Sequence, residues 1–469
     1  MIAFTGTYTD QYQLTMGQAY FLRGNHQQPA IFDYFFRKLP FSGGYVVFAG
    51  LADLLAIIEN WRFTNDDIAY LKTIGFHPDY LDYLSQFRFQ GHIYSCREGE
   101  VVFPTMPLLR VEATMLEAQL LETMLLNILN FQSLIATKAS RIRLVSGDRQ
   151  LIDFGLRRAQ GPGGYFASRA AMVGGFNGSS NVCVGKDYQV PVSGTMAHSF
   201  VQSYDDELTA FREFAEIWPE NCVLLVDTYN TLESGIPHAI QVAKEMMAQG
   251  HQLKGIRLDS GDLAYLSKQA RRMLDEAGLA HVQIAASNQL DEYVIKSLIE
   301  QQAPIDIFGV GTKLVIGDPD SALDGVYKLA YANAKPRIKL SDSLKKVTLP
   351  DRKQVYRLLD KKGQFIGADV VAIEGEEVAT IETMHHPFDR DKSMDVLDYA
   401  KEPLLHKVME NGQKVDKTKA ISDLADYSKI RLGQLPNEYK RFDNPHIYKV
   451  GLSTQLNDVR NELTRQHRA

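Results

Sequence analysis

The stretch GIRLDSG, residues 255–261, decides the fold class. It begins as a short apolar run and ends in polar residues and glycine, which is typical of a buried strand that stops at the edge of a sheet. Four other runs in the middle of the chain have the same form, at residues 151–155, 223–228, 282–288 and 305–312. Because helical stretches separate these runs, the pattern predicts successive βα units.

The spacing of the runs favours a parallel sheet or barrel. Asp227 and Asp259 are 32 residues apart, and Asp259 and Ser287 are 28 residues apart, which fits one strand and one helix per unit. A doubly wound sheet is disfavoured because no GxGxxG motif follows the first strand. In either fold the carboxyl ends of the strands meet at one edge, so we expect the site there.

The flanking regions are predicted to differ from the middle. Residues 1–137 are expected to form a mixed α/β domain, with helices over 10–22, 45–58 and 115–136, a strand over 31–36 and short strands over 91–111. Residues 138–330 are assigned to the α/β barrel-like domain. Residues 331–469 are predicted to continue the β pattern of 327–371 and to become helical from about residue 404.

Composition excludes several classes of protein. The chain has 469 residues, of which 45% are hydrophobic and 23% charged, with a net charge of −6, so neither a disordered chain nor a broadly basic nucleic-acid binder is expected. The three cysteines form no CxxC pair, which argues against structural zinc and a disulfide framework. No secretory signal or membrane span is expected, and a cytoplasmic location follows as the expectation.

Charge is distributed unevenly along the chain. Residues 328–362 contain eleven Lys and Arg against three acids, a net charge of +8 that leaves −14 for the rest. We expect part of this segment to attract small polyanions, and a solvated β face is an equal alternative.

Three motifs in the middle of the chain suggest chemistry. Residues 309–312, GVGT, offer unhindered backbone N–H groups and a hydroxyl for a phosphate, or form a tight turn. Asp259 and Asp262 follow a strand, where they are suited either to Mg²⁺ carried by a diphosphate or to helix capping. An arginine in a buried strand requires an anionic partner, either a protein carboxylate or a ligand. Arg257 is such an arginine, and Arg157 also needs an anionic partner.

Six motifs in order resemble the nicotinate phosphoribosyltransferase family. They are TDQYQLTM at 9–16, EGEVVFP at 98–104, DFGLRRA at 153–159, GTMAHS at 194–199, RLDSGD at 257–262 and GVGT at 309–312. The resemblance implies a type II phosphoribosyltransferase fold. In that fold an irregular, incomplete α/β barrel packs on a mixed α+β domain built from both chain ends, which places residues 331–469 with the N-terminal domain.

The resemblance also implies the reaction. Nicotinate and 5-phosphoribosyl 1-diphosphate give nicotinate mononucleotide and pyrophosphate, with ATP as co-substrate and Mg²⁺ as cofactor, in NAD salvage. His198 matches the histidine that ATP phosphorylates, and Asp259 matches an acid beside the ribose and the Mg²⁺. A homodimer is implied, with Tyr12 reaching the neighbouring subunit's site.

Substrate-binding positions are implied by the same matches. Arg257 matches the arginine that pairs with the nicotinate carboxylate, and Tyr12 matches the aromatic residue that sandwiches the ring. The remaining implied contacts with nicotinate, with the substrate pocket and with phosphoribosyl diphosphate are Thr195, Arg157, Thr312, Gly309 and Gly311.

Two other activities remain open from the residues. Nicotinamide phosphoribosyltransferases resemble this chain but carry an aspartate where Ser180 stands, and an acid there would repel a carboxylate. The middle βα pattern also suits a Schiff-base lyase, with Lys313 as the amine.

Overall fold

In the computed structural model, which describes residues 4–341, 346–389, 391–415 and 419–468, the chain forms two compact units. The first unit combines residues 1–137 with 320–469, and the second is the uninterrupted segment 138–319. The second unit therefore ends before the limit of 330 drawn from the sequence. The reason is that the strand over Gly325–Ala332 is hydrogen-bonded to the strand over Pro29–Phe36 in the first unit.

The N-terminal segment contains five strands and six helices among its described residues. They are α1 (Gln11–Leu22), β1 (Pro29–Phe36), β2 (Val46–Val47), α2 (Leu51–Asn60), α3 (Asn65–Thr73), α4 (Pro78–Ser85), β3 (His92–Ser95), β4 (Val101–Val102), β5 (Leu109–Thr114), α5 (Met115–Leu120) and α6 (Glu122–Ser146). The helix predicted over 10–22 and the strand over 31–36 are confirmed. The helix predicted over 45–58 begins only at Leu51, after Gly50 adopts a left-handed conformation with φ of 97°.

The middle segment follows the βα pattern. Its elements are β6 (Gln150–Asp153), α7 (Gly163–Val173), β7 (Gly178–Ser179), α8 (Val182–Tyr188), α9 (His198–Gln202), α10 (Glu207–Ile217), β8 (Val223–Leu225), α11 (Ile236–Ala248), β9 (Gly255–Leu258), α12 (Leu263–Glu276), β10 (Gln283–Ser287), α13 (Glu292–Glu300), β11 (Ile307–Val310) and α14 (Thr312–Val315). The strands form one sheet in the order β7-β6-β11-β10-β9-β8, with every neighbouring pair parallel. This open parallel sheet is consistent with the incomplete α/β barrel that was predicted.

The C-terminal segment is richer in strands than its sequence predicts. Its elements are β12 (Gly325–Ala332), β13 (Lys335–Pro336), β14 (Lys353–Leu359), β15 (Phe365–Ile373), β16 (Thr383–His385), β17 (Ser393–Asp395), β18 (Ala400–Pro403), β19 (His406–Glu410), β20 (Gln413–Lys414), α15 (Ile421–Gln434), β21 (Lys449–Ser453) and α16 (Thr454–Arg468). The expectation of helix from residue 404 onward is wrong for β19, β20 and β21. Part of the β region predicted over 327–371, residues 342–345, lies outside the described residues.

Both ends of the chain build the sheets of the first unit. One sheet has the order β13-β12-β1-β5-β3-β19-β20, and a second, formed by the C-terminal segment, has the order β17-β16-β21-β15-β14-β18. Leu358, Val370 and Val396 are completely buried in the core of the second sheet. The first unit therefore becomes complete only when the two ends of the chain meet.

A buried ionic network also joins the two ends. Arg357 donates hydrogen bonds to both carboxylate oxygens of Asp369, at 3.1 and 2.9 Å, and forms an ion pair with Glu100. Arg431 donates to the same Glu100 carboxylate at 2.9 Å, and Tyr427 donates to its other oxygen. The side chains of Arg357, Glu100 and Asp369 are at most 2% exposed, so the charges are paired away from water.

This network and one further ion pair account for two cations of the positive segment 328–362. Arg357 belongs to the buried network, and Lys353 is fully buried in an ion pair with Asp33 at 2.8 Å. Lys353 also donates to the backbone carbonyls of Leu349 and Pro350. These two cations are therefore used inside the fold and are not exposed to attract polyanions.

Among the described residues, no helix combines the length and the apolar character that crossing a membrane requires.

Candidate active site at the carboxyl edge of the parallel sheet

Polar side chains collect at the carboxyl edge of the six-stranded parallel sheet. Asp153 ends β6, Asp227 follows β8, Asp259 follows β9, Ser287 ends β10 and Gly311 follows β11. Because the strands are parallel, these positions share one edge, as the spacing predicts.

Arg257 lies at the centre of a hydrogen-bonded cluster. Its Nη2 donates to Asp259 Oδ1 at 2.8 Å, and its Nη1 donates to Thr195 Oγ1 at 3.3 Å. Its Nε donates to Ser287 Oγ at 2.9 Å. The side chain is 14% exposed, so the guanidinium is held by partners and remains accessible at one side.

Asp259 is held in its charged form by this cluster. Burial alone would raise the pKa of the Asp259 carboxyl, but the hydrogen bond from Ser287 and the positive charge of Arg257 outweigh burial and hold its pKa below the ordinary value. The carboxylate is therefore negative over the physiological pH range.

His198 faces two carboxylates. Its Nε2 lies 3.9 Å from Asp227 Oδ1 and 3.9 Å from Asp259 Oδ2, while its Nδ1 is hydrogen-bonded to Thr228 Oγ1 at 3.1 Å. The imidazole is 41% exposed. His198 begins the short helix α9 after an irregular segment.

The Asp227 side chain is buried beneath His198 and Asp259 and fixes the backbone that carries Asp259. Its Oδ2 accepts hydrogen bonds from the backbone N–H of Asp259 and from Ser260 Oγ, both at 2.7 Å. Its Oδ1 accepts no hydrogen bond from the described residues, although the side chain is only 1% exposed. An unpaired buried carboxylate oxygen directed at His198 is costly unless it serves a ligand or a proton.

Phe154 forms an apolar wall beside Arg257. The guanidinium carbon lies 5.4 Å from the centre of the Phe154 ring, within the range of a cation–π contact. The ring occupies this place because Gly309 has no side chain: a Cβ at Gly309 would lie 2.3 Å from a Phe154 ring carbon. Gly309 therefore has a packing role at this edge, in addition to any role toward phosphate.

The ends of β6 and β7 are joined through Asp153. Its carboxylate accepts hydrogen bonds from Ser179 Oγ at 2.7 Å and from the Gly155 N–H at 2.8 Å. Burial raises the pKa of Asp153 despite these hydrogen bonds. The backbone carbonyl of Asp153 accepts from the Ser180 N–H at 2.8 Å, which places Ser180 at the same edge.

Not every predicted site residue joins the cluster. Thr195, Arg257, Asp259 and His198 are brought together by the contacts given above. In the part of the chain that the structure describes, the side chains of Arg157, Ser180 and Thr312 make no hydrogen bond to that cluster, although all three follow strands of the same sheet. Arg157 lies in an exposed single turn over Leu156–Arg158.

Tyr12 lies in the first unit. It is on α1, and its side chain is 49% exposed. A large exposed aromatic side chain on a helix is available to a ligand or to another subunit.

The two acids after β9 have different roles. Asp262 caps α12, because its side chain accepts a hydrogen bond from the Tyr265 N–H at 3.0 Å. Asp259 belongs to the Arg257 cluster. Asp262 is therefore a helix cap, and Asp259 is the acid that holds Arg257 in the cluster.

Lys313 does not have the properties of a Schiff-base amine. Its Nζ donates to Asp318 Oδ2 at 2.7 Å, and this hydrogen bond raises the pKa of the ammonium above the ordinary value. A lysine that attacks a carbonyl needs a lowered pKa, so the lyase alternative loses its nucleophile.

Space for a ligand adjoins the cluster. A cavity of about 350 Å³ is lined by residues that follow β9 and β10, among them Asp259, Ser260, Ser287 and Asn288. Within the described ranges, no group of three or more His, Cys, Asp or Glu side chains is arranged to hold a metal ion. Mg²⁺ commonly uses one or two carboxylates together with substrate phosphates, and Asp227 with Asp259 supplies such a pair.

Sequence reasoning missed four members of the site: Asp227, Thr228, Ser287 and Phe154. Asp227 follows β8 as Asp259 follows β9, and Ser287 ends the next strand, so equivalent strand-end positions were a usable signal. The ring contact of Phe154 had no such signal, because it depends on which strands are neighbours.

Family models match almost the whole chain. The N-terminal domain model of nicotinate phosphoribosyltransferase (NAPRTase) matches residues 7–130, the NAPRTase family model matches 149–365, and the C-terminal domain model matches 352–460.

Relatives and solved structures agree with these matches. The chain is 46% identical over 456 residues to the nicotinate phosphoribosyltransferase of Bacillus subtilis (strain 168), covering 95% of this chain and 92% of that protein. It is 36% identical to that of Dictyostelium discoideum over 518 residues, covering 97% and 87% respectively. The crystal structure of human nicotinic acid phosphoribosyltransferase superposes with a TM-score of 0.88 at 30% identity, covering 97% of this chain and 99% of that one.

Proposed function

This chain belongs to the nicotinate phosphoribosyltransferase family, and on that premise we propose that the cluster around Arg257 is where nicotinate is joined to 5-phosphoribosyl 1-diphosphate. The activity is that of a nicotinate phosphoribosyltransferase in NAD salvage, which forms nicotinate mononucleotide and pyrophosphate. The assignment of the site rests on one observation. Arg257, at the carboxyl edge of the parallel sheet, donates a hydrogen bond to Asp259, and Asp259 in turn faces His198.

The chemistry needs positioning more than a strong base. The pyridine nitrogen attacks the anomeric carbon while the bond from that carbon to pyrophosphate breaks, so positive charge develops on the ribose. Arg257 pairs with the nicotinate carboxylate, Thr195 contacts the same group, and the negative Asp259 stabilises the ribose charge. Phe154 contributes an apolar surface beside the pyridine ring.

Phosphate groups bind at the ends of β11 and β6. Gly311, which follows β11, leaves its backbone N–H unhindered, and Thr312 adds a hydroxyl, while Gly309 serves by leaving room for the Phe154 ring. Arg157 supplies an exposed cation near the end of β6. Ser180 carries no charge that would repel the carboxylate of nicotinate, in keeping with the acid rather than the amide as substrate.

A diphosphate substrate usually binds together with a divalent cation. Mg²⁺, when bound, would neutralise charge on the leaving pyrophosphate. The residues that would hold it are Asp227, through its unpaired Oδ1, and Asp259. This donor set fits a cation that takes most of its ligands from substrate and water.

ATP coupling is assigned to His198. When Nδ1 donates its proton to Thr228 Oγ1, Nε2 carries the lone pair and can attack the γ-phosphorus of ATP, so that an N–P bond forms and ADP leaves. Water later takes the phosphoryl group and releases phosphate. The added negative charge lies beside Asp227 and Asp259, so phosphorylation and its loss change the affinity of the site for anionic substrates and products.

The test is phosphoryl transfer from ATP labelled at the γ-phosphate. We expect acid-labile label on His198 and ATP-stimulated formation of nicotinate mononucleotide. His198→Asn removes the label and the stimulation. The matched control is His238→Asn, a helical histidine that is hydrogen-bonded to Glu207 and should leave the labelling unchanged.

Two results would contradict the proposal separately. Product formation without label on His198 would contradict ATP coupling through this residue. Faster turnover of nicotinamide than of nicotinate would contradict the substrate assignment.

A homodimer completes the proposed site. Tyr12 is assigned to cover the nicotinate ring bound by the other subunit, which is supported by its exposure on α1. Aromatic rings stack favourably on a pyridine ring, and the exposed position leaves Tyr12 available for it.

A further inference from the structure

We propose that Ser287 is a positioning residue that determines which edge of the Arg257 guanidinium is presented to the substrate carboxylate. The inference rests on the proposed function, because it takes Arg257 as the residue that binds nicotinate. It adds a residue that has no assigned role and a specific way in which that residue acts.

Ser287 closes a ring of three side chains. Its hydroxyl oxygen accepts a hydrogen bond from Arg257 Nε at 2.9 Å, and its proton is donated to Asp259 Oδ1. The same Asp259 oxygen accepts from Arg257 Nη2 at 2.8 Å. A hydroxyl has one proton to donate and lone pairs to accept, so Ser287 is fully used between the two charged groups.

This ring occupies one edge of the guanidinium. Arginine has five N–H donors in a planar fork, and the Nε and Nη2 donors on the side edge are taken by Ser287 and Asp259. Thr195 takes one donor of Nη1. One N–H on each of Nη1 and Nη2 therefore has no partner among the described residues. With the side edge occupied, the second N–H of Nη2 lies on the end edge beside Nη1, where it can donate to a carboxylate.

Without the Ser287 hydroxyl, Asp259 can form a stronger ion pair with Arg257 than the present one. Its carboxylate can rotate to accept from both Nε and Nη2, which is the usual bidentate pairing of arginine with an acid. That pairing neutralises Arg257 more completely and moves Asp259 Oδ2 from its place 3.9 Å from His198 Nε2. Ser287 thus keeps Asp259 shared between the arginine and the histidine.

The backbone holds Ser287 at this point. Ser287 is 3% exposed and ends β10, where it pairs with Gly309 of β11. The next two residues, Asn288 and Gln289, both have positive φ, of 83° and 51°. A positive φ is strained for a residue other than glycine, and it is kept only where the surrounding structure holds the backbone in place. Such strained positions cluster at functional sites.

The experiment compares Ser287→Ala with Ser287→Thr, which keeps the hydroxyl. We expect Ser287→Ala to raise the KM for nicotinate about tenfold, since a hydrogen bond to a charged group is lost, and to change the KM for phosphoribosyl diphosphate less than about threefold. Ser287→Thr should recover most of the nicotinate KM. Inhibition by benzoate, which has the carboxylate but no attacking nitrogen, should weaken in parallel in Ser287→Ala.

The matched control is Ser267→Ala on α12, a buried serine whose hydroxyl donates only to the Ala264 carbonyl. It should leave both KM values and benzoate inhibition unchanged. An unchanged nicotinate KM and benzoate inhibition in Ser287→Ala would overturn the proposal. So would equal losses for both substrates together with a lowered unfolding temperature, since that pattern is structural. A wild-type protein that does not turn over nicotinate would instead contradict the proposed function.

Discussion

Gly309 has no side chain, and the ring of Phe154 fills the space that a Cβ would take. The nearest ring carbons would lie 2.3 and 2.4 Å from that Cβ, well inside van der Waals contact. The same ring lies 5.4 Å from the Arg257 guanidinium carbon. The absence of one methyl group therefore determines where the Phe154 ring lies beside Arg257 in the proposed nicotinate site.

Gly309→Ala is expected to displace the Phe154 ring. Overpacking of this kind costs about 1–3 kcal/mol of stability, and the displaced ring should also raise the KM for nicotinate. Thermal unfolding and steady-state kinetics measure the two effects. The control is Gly433→Ala on α15, where no atom lies within 4 Å of the added Cβ. Unchanged kinetics in Gly309→Ala would show that the ring position does not matter for substrate binding.

At the scale of elements, the Glu100 network connects β14, β15 and α15 to the residue that precedes β4. Burial alone would raise the pKa of Glu100, but the positive charges of Arg357 and Arg431 lower it below the ordinary value. A lowered pKa in the folded state means that this carboxylate stabilises the fold above its unfolded pKa of about 4.3, and that the contribution is lost as the pH falls through the lower folded value.

Glu100→Gln is expected to reduce the free energy of unfolding by about 3–5 kcal/mol at pH 7, because it leaves two buried arginines without their shared anion. The difference from wild type should stay constant as the pH falls from 7 to about 4.3, the unfolded pKa, and should narrow only below that, as the pH approaches the lower folded pKa of Glu100. Denaturant unfolding at several pH values measures this. Glu410→Gln, which breaks an exposed pair with Lys407, should have little effect at any pH. A pH-independent difference for Glu100→Gln would contradict the assignment.

The parallel sheet was predictable from sequence, whereas the outer strands were not. Each run such as residues 255–261 carries its own apolar strand and polar end, and parallel order then places Asp259 and Asp227 at one edge. In contrast, β19 pairs with β3, with His406 opposite Ser95, and no local pattern in a polar five-residue segment reveals a partner so distant in sequence. Ser287 had a usable signal in its position at the end of a strand, but its contacts with Arg257 and Asp259 also depend on β9 and β10 being neighbours.

At the scale of the whole molecule, the proposed homodimer makes each site depend on two chains. Tyr12→Ala and Arg257→Ala should each be nearly inactive. When the two variants are refolded together, mixed dimers should contain one site with both residues intact. Random pairing then restores about a quarter of the wild-type activity, because half of the dimers are mixed and each has one good site of two.

The control for subunit mixing is Tyr70→Ala, which removes another exposed tyrosine of the first unit and should remain active alone. A mixture no more active than the average of its two components would contradict the sharing of Tyr12 between subunits.

The division of the first unit between the two chain ends has a consequence for synthesis. β1 waits for β12, which begins at Gly325, while the whole second unit, residues 138–319, is made in between. At about 5–20 residues per second the nascent chain carries an open strand edge for roughly 15–60 s. During that time β1 is exposed to pairing with other chains, so we expect the yield of this protein in a cell to depend on how fast the ribosome makes the chain between β1 and β12.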